Sequence, residues 1–316
     1  MNLVKEEKEL RLFYSDLLLE YAAQDERIVV VDADLMGASS HVRFRSAYPE
    51  RTIDAGVAEA NMIGTAAGLS AMGKIPFTHS FTTFASRRCM DQVMLSVAYA
   101  GLNVKMVGSD PGVTAELNGG THMGFEDIAV MRVIPEMTIA EPADGAQLTQ
   151  LFPQILEHYG PVYIRLARPA AVRVTPDGFS YTLGKAAVLK AGGDVSIFAS
   201  GIMTAEALEA ADHLAEEGIC AEVINIHTIK PLDTETILRS TAKTGCAVTA
   251  ENANIIGGLG GAMAETLAEG GPVPMVRVGV RDRFGEVGYL EYLQKALGLT
   301  AADIVKAAKK ALDMKG

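Results

Sequence analysis

One acid stands alone in an apolar stretch. From Asp54 to Gly73 the chain reads as a short strand end, a glycine turn and a helix of small or apolar residues, with Glu59 in the first helical turn. A helix apolar on all faces is buried, and a lone buried carboxylate is costly unless it is paired or shares a proton. Glu59 is therefore a candidate for proton chemistry. The competing structural explanation is half of a capping box, with Gly56 at the cap and Glu59 reaching back three residues later. His122 follows Gly119, Gly120 and Thr121 in a loop, where glycines let backbone approach a ligand closely and an imidazole can carry a proton. Arg11 and Arg168, with the loop at Ser39 and Ser40, could clamp a phosphate bidentately. Phe81 and Phe84 precede Asp91 and Gln92 in a chain that has no tryptophan and only 6% aromatic residues. The glycine cluster at 257–261 lacks the third glycine of a dinucleotide fingerprint, and no Walker-type Gly-Lys-Ser/Thr is present. It is read as a tight strand-to-helix turn, able to offer backbone amides to an anion.

The elements that must position these residues alternate. Residues 6–23 carry helical spacing (Leu10, Phe13, Leu17, Tyr21), and 27–32 is a continuous apolar run of the kind found in a parallel strand covered on both faces. After the Glu59 helix come a strand near 74–79, a helix near 85–100, a strand near 103–108 and the loop of His122. A short helix then leads to a strand at 137–140, a helix at 144–158 and a strand at 162–166. Residues 168–183, with Pro169, Pro176 and Gly178, read as a linker. A second set follows: strand 194–200, helix 204–217, strand 220–226, a helix capped by Asp233 with Pro231 just outside it, strand 245–251, the glycine turn, strand 273–278 and two closing helices. Strands separated by helical segments predict an α/β fold with parallel sheets.

Composition narrows the class. The 316 residues suit two domains, and 49% hydrophobic residues can fill two cores. No apolar run is long enough to span a bilayer, and the polar start at 5–9 does not resemble a signal peptide. A net charge of −11 argues against nucleic acid or an anionic membrane as partner. Three scattered cysteines with no metal-type spacing suit the reducing cytoplasm.

Six segments in order resemble the second half of a transketolase, from about Arg11 to the last helices. They are Asp32-Ala33-Asp34-Leu35, Gly56-Val57-Ala58-Glu59-Ala60-Asn61-Met62, Ser80-Phe81-Thr82-Thr83-Phe84 followed by Asp91-Gln92, Gly120-Thr121-His122 with Glu126-Asp127, the run from Thr228 to Asp233, and Ala250-Glu251-Asn252 with the glycines at 257–261. The resemblance implies two parallel-sheet α/β domains, a pyrimidine-binding domain over 1–170 and a transketolase C-terminal domain over 184–316.

It also implies thiamine diphosphate, bound between a diphosphate-holding domain and a pyrimidine-holding domain of another protomer. The chain contains no Gly-Asp-Gly followed by a distant Asn, the family's diphosphate and metal signature. The resemblance therefore implies a separate N-terminal subunit that holds the diphosphate and its Mg2+ or Ca2+, assembled with this chain as a heterotetramer. In that family Glu59 would match the cofactor-activating acid. Asp34 and Leu35 would touch the cofactor, Phe81 or Phe84 would stack on its pyrimidine, and His122 would bond the ketose hydroxyls and assist proton transfer. Arg11, Ser39 and Arg168 would bind the sugar phosphate. Near Ser109 and Asp110 the family's further phosphate-binding histidine is missing, Asn118 stands near its substrate aspartate, and the loop has an extra residue. Xylulose 5-phosphate with ribose 5-phosphate is the default pair, with another ketose phosphate open. The competing expectations are a 2-oxoacid dehydrogenase beta subunit, a deoxyxylulose-phosphate synthase half, and a non-catalytic α/β scaffold.

Overall fold

A computed structural model describes residues 3–316. In chain order its strands are β1 (Val4–Lys5), β2 (Ile28–Asp32), β3 (Thr52–Asp54), β4 (Ile75–Phe81), β5 (Lys105–Ser109), β6 (Thr138–Ala140), β7 (Val162–Leu166), β8 (Val172–Arg173), β9 (Ala187–Lys190), β10 (Val195–Ala199), β11 (Ala221–Asn225), β12 (Thr228–Lys230), β13 (Ala247–Asn254) and β14 (Met275–Val280). The first sheet runs β12-β6-β7-β5-β4-β2-β3, parallel except for β12, and the second runs β14-β13-β10-β11-β9, parallel except for β9. β2, β5 and β7 are buried along their whole length, as strands of a parallel sheet covered on both faces should be.

Three features differ from the sequence-based expectations. β12 lies late in the chain yet pairs with β6 at the edge of the first sheet, so the second half of the chain stitches itself to the first. The expected helix near 85–100 is a short helix at Thr82–Ala85, a tight turn at Arg87–Cys89 and a π-helix at Gln92–Tyr99. The Glu59 helix (Glu59–Ala71) is not buried on every side. Met62, Ile63, Ala66 and Ala67 face the core, while Ala60, Asn61, Gly64, Gly68 and Ala71 form an exposed stripe.

One buried apolar cluster runs from Met62 and Ile63 through Ile139 and Tyr163 to Phe198, Ile224 and Met263, and joins the two domains. Arg165, wholly buried, adds a polar tie: its Nε donates to Asp127 at 2.8 Å, Nη1 to Glu141 at 2.5 Å and Nη2 to the Asn252 carbonyl at 2.7 Å. A buried guanidinium is tolerable only with its charge paired and its donors engaged. No helix among the described residues is long and apolar enough to cross a membrane.

Two buried histidines give the fold a pH signature. Burial pushes the pKa of His79 down to about 3 and that of His227 down to about 4. An unfolded chain protonates both near the ordinary value of about 6.5. The stability that comes from keeping them neutral is complete above that value and is lost as the pH falls through the folded values. Denaturant unfolding at pH 7.5 and 4.5 should show His227→Gln flattening the acid slope by about 2–3 kcal/mol. An unchanged slope would exclude His227 as a cause.

Candidate active site

The carboxyl ends of the parallel strands of the first sheet are where an α/β sheet of this kind receives its ligands. β2 ends at Asp32, β4 at Phe81, β5 at Ser109 and β7 at Leu166, so Asp34, Leu35, Phe81, Asp110 and Arg168 all lie on that edge. Asp54, at the end of β3, ties two of its turns together. One carboxylate oxygen accepts from Asp34 N and from Gly56 N, each at 3.0 Å. Asp34 and Gly56 both have positive φ, 61° and 71°. The turn carrying Leu35 and the turn that starts the Glu59 helix are thereby held side by side.

Glu59 is 1% exposed. The helix cap is Ala58 and makes no side-chain cap bond, so the capping-box explanation does not hold. Ser80 Oγ donates to Glu59 Oε1 at 2.9 Å, and Arg88 Nη1 donates to Oε2 at 2.9 Å. The acid is thus not alone. Ser80 was legible only as part of the motif, and Arg88 was missed, because the turn at Arg87–Cys89 interrupts the helix on which it would have pointed elsewhere. The Arg88 guanidinium also lies over the Phe84 ring, 3.7 Å from its centroid.

His122 is brought to the same place. Its ring meets Phe81 edge-on at 5.4 Å and Phe84 at 5.2 Å between centroids. Thr121 Oγ1 lies 2.9 Å from its Nδ1, and Thr83 Oγ1 donates to its carbonyl at 3.2 Å. Glu59, Phe84 and His122 are therefore linked through Arg88 and ring contacts, although 63 positions separate the first from the last.

Behind Leu35 lies a buried polar centre that sequence reasoning did not single out. Asp32 accepts from Leu35 N at 2.5 Å, Ser39 Oγ at 3.1 Å and His41 Nδ1 at 2.9 Å. Burial pushes the Asp32 pKa up, but the His41 bond, the neighbouring imidazoles and the Leu35 amide outweigh it and leave it below the ordinary value. The Ser39 hydroxyl is 1% exposed and turned into this centre. Arg11 Nη1 donates to the adjacent Ala38 carbonyl at 3.1 Å, and its Nε to Glu9 at 2.6 Å. Arg168 Nε sits 3.3 Å from Asp110 Oδ1. Both arginines act on the charge of Asp110, so Arg11, the Ser39 turn, Asp110 and Arg168 make one basic corner.

Asn252, at the end of the second sheet, closes the site from the other domain. It accepts from Val113 N at 3.0 Å and donates to the Pro111 carbonyl at 2.8 Å. Gly112 is required there, since its φ is 52° and an added Cβ would stand 2.2 Å from Asn252 Oδ1. The glycine cluster at 257–261 does offer its amides, but to an internal carboxyl: Glu251 accepts from Leu259 N at 2.6 Å and Gly260 N at 2.8 Å, and burial pushes its pKa up to about 8.

One buried acid, two aromatic rings and an imidazole thus meet at the open edge of a parallel sheet, with two arginines beside the neighbouring turns. The chain matches the family models for the pyrimidine-binding domain of transketolase over residues 6–172 and the C-terminal domain of transketolase over residues 184–304. It belongs to the transketolase family and is a transketolase subunit. The 6-deoxy-6-sulfo-D-fructose transketolase subunit SqwH of Clostridium sp. (strain MSTE9) is 66% identical over 98% of this chain and 96% of its own length. A solved split-gene transketolase, described as an inactive β4 tetramer, has a TM-score of 0.89 at 44% identity, covering 98% of this chain and 99% of that one. The 1-deoxy-D-xylulose-5-phosphate synthase 1 of Geobacter sulfurreducens is 38% identical over 96% of this chain, but only 48% of its own length is covered.

Thiamine diphosphate fits half of what is here. Its aminopyrimidine would find a buried acid at Glu59 and ring faces at Phe81 and Phe84. For the diphosphate, no cluster of metal-ligating side chains exists among the described residues.

Proposed function

We propose that this chain is the pyrimidine-binding subunit of a two-chain, thiamine diphosphate-dependent transketolase whose ketose donor ends in an anion. By analogy with its 66% identical relative, we take that donor to be 6-deoxy-6-sulfo-D-fructose. The observation that carries the cofactor half of this reading is Glu59, buried yet facing Phe84 through the Arg88 guanidinium.

Breaking a carbon–carbon bond beside a ketone leaves an electron pair that no side chain can hold, and the thiazolium of thiamine diphosphate supplies that electron sink when bound. Glu59 would hold the pyrimidine edge of that group by sharing a proton with a ring nitrogen, the contact that would let its exocyclic nitrogen act as a base. Ser80 and Arg88 each donate to one oxygen of this carboxyl and fix its orientation. Leu35 wedges the cofactor, and Asp34 lines its path. His122 bonds donor hydroxyls and moves a proton to or from them.

Arg11 and Arg168 hold the anionic end of the sugar, with Ser39 fixing the turn beside them. Removing carbons 1 and 2 from 6-deoxy-6-sulfo-D-fructose leaves a four-carbon aldose with its sulfonate intact. An aldose phosphate is the matching acceptor. A lipoyl-linked 2-oxoacid reaction would have no use for this pair of arginines.

The missing diphosphate and metal sites come from a separate N-terminal subunit, in a heterotetramer working in the cytoplasm. The exposed stripe at Ala60, Gly64 and Gly68, with Leu95 and Tyr99 exposed on the adjoining π-helix, supports an assembly that covers this face. Co-expression with the partner, followed by a cofactor-dependent ketol-transfer assay on sulfonated and phosphorylated ketoses, tests the reading. Decarboxylation of pyruvate with transfer of its two-carbon remainder to an aldose phosphate, and no ketol transfer from ketoses, would point instead to a synthase.

The position of Arg88 supports one of the two phenylalanines over the other. A flat guanidinium that lies on Phe84 while bonded to Glu59 traces the place of a flat ring with a nitrogen toward that acid. We therefore assign the stacking face to Phe84. Offset stacking contributes about 0.5–1.5 kcal/mol beyond area burial. In the assembled enzyme Phe84→Ala should weaken thiamine diphosphate binding by roughly tenfold, and Phe81→Ala by clearly less. Equal losses, or the reverse order, would reassign the face.

A further inference from the structure

The basic corner contains an acid that needs explaining. Asp110 follows the last residue of β5, is 0% exposed and has a φ of 54°. Its amide donates to the Leu166 carbonyl at 3.1 Å. Neither carboxylate oxygen has a well-aligned hydrogen-bond partner among the described residues, although the backbone amide of Arg168 lies close enough to favour its charged form. Among those residues its ion-pair contact is Arg168 Nε at 3.3 Å, too oblique for a hydrogen bond. A buried, poorly partnered carboxyl in the left-handed region is an arrangement that a fold keeps only under close constraint.

We propose that Asp110 sets the charge of the corner that receives the far end of the sugar, so that it selects a singly charged sulfonate over a doubly charged phosphate ester. The proposal rests on the donor reading given above. Two guanidiniums, Arg11 and Arg168, face the corner, and Asp110 cancels one of them. Glu9, 2.6 Å from Arg11 Nε at the exposed rim, and Glu116 add further negative charge. His79, the other titratable group acting on Arg168, is held neutral by burial. Arg11 and Arg168 against Asp110 leave one positive charge at the corner itself, and the two glutamates, outside it, weaken even that. A sulfonate carries one negative charge, whereas a phosphate ester carries about 1.5–2 near neutral pH. The surplus charge of a phosphate therefore meets Asp110 uncompensated in a poorly hydrated place.

Asp110 is a positioning residue here, since it acts through Arg168. It engages the Nε side of the guanidinium, and neither Nη of Arg168 has a hydrogen-bond partner among the described residues. That leaves the two-pronged end for the ligand, the geometry that guanidinium uses for oxyanions. Burial pushes the Asp110 pKa up to about 6, with Arg168 and Arg11 pulling against it. Near neutral pH the group is ionised, as the proposal needs.

The test uses the enzyme assembled with its diphosphate-binding partner and two donors that differ only at carbon 6, 6-deoxy-6-sulfo-D-fructose and fructose 6-phosphate. The wild type should favour the sulfonate in kcat/KM. Asp110→Asn should raise kcat/KM for the phosphate donor on the order of tenfold, chiefly through KM, and change the sulfonate value less than about threefold. A merely structural role would lower both donors together and leave their ratio in place, and that result would overturn the proposal. Asp110→Ser serves if the Asn variant does not assemble. A wild type that prefers fructose 6-phosphate also overturns it, with no variant needed. A wild type that uses no sulfonated donor at all removes the donor reading itself. A sulfonate-preferring wild type whose ratio survives both substitutions removes only the role of Asp110.

Discussion

Purified without a partner, the chain is expected to catalyse no ketol transfer above background, with thiamine diphosphate and Mg2+ in excess. Activity should appear on mixing with the diphosphate-binding subunit and rise to a plateau at a fixed ratio. The reason is the division of labour within the site. This chain offers an acid, ring faces, an imidazole and two arginines at one sheet edge. Among its described residues there is no metal-ligating cluster to neutralise a diphosphate. A cofactor held only by ring stacking and one shared proton lacks most of its binding energy, and uncompensated phosphate charge dominates the cost. The relative solved as an inactive β4 tetramer fits this expectation. Full turnover by the chain alone would defeat the split-site account.

The second large effect is that of Glu59→Gln in the assembled enzyme, a loss of about 10²–10⁴-fold in kcat, the usual scale for removing a group that shares a proton in the rate-determining chemistry. Glutamine keeps the length of the side chain and can still accept from Ser80, so the helix and its packing should survive. What it cannot do is share an acidic proton with a ring nitrogen. Cofactor affinity should fall far less than kcat, because stacking on Phe84 is untouched. Complex assembly, checked by mass and thermal unfolding, separates this from a folding defect. Turnover within about threefold of wild type would leave Glu59 no role in activation.

Much of the framework was legible in the residues. The run at 28–31 is apolar at every position, and with Asp32 the whole strand is buried on both faces, while Asp233 caps its helix as its type and place suggested. The acid in an apolar helix did mark a buried carboxyl, since Glu59 is 1% exposed. Its partner Arg88 was hidden, because a break into a tight turn and a π-helix replaced the regular helix expected there. The Asp32, His41 and His79 centre was illegible for a different reason. Its members come from β2, the loop after it and β4, and only sheet order makes them neighbours. Asp110 could be read from the sequence only as the place where a histidine was missing. That a carboxyl there faces two arginines depends on β5 lying beside β7.

The most direct test of the central claim is a calorimetric titration of thiamine diphosphate, with Mg2+, into this chain, into the diphosphate-binding subunit and into their complex. The account predicts saturable binding at one cofactor per pair of chains in the complex, none by this chain alone, and binding in the Glu59→Gln complex that persists while turnover is lost. Tight, saturable binding by this chain with no partner present would contradict it.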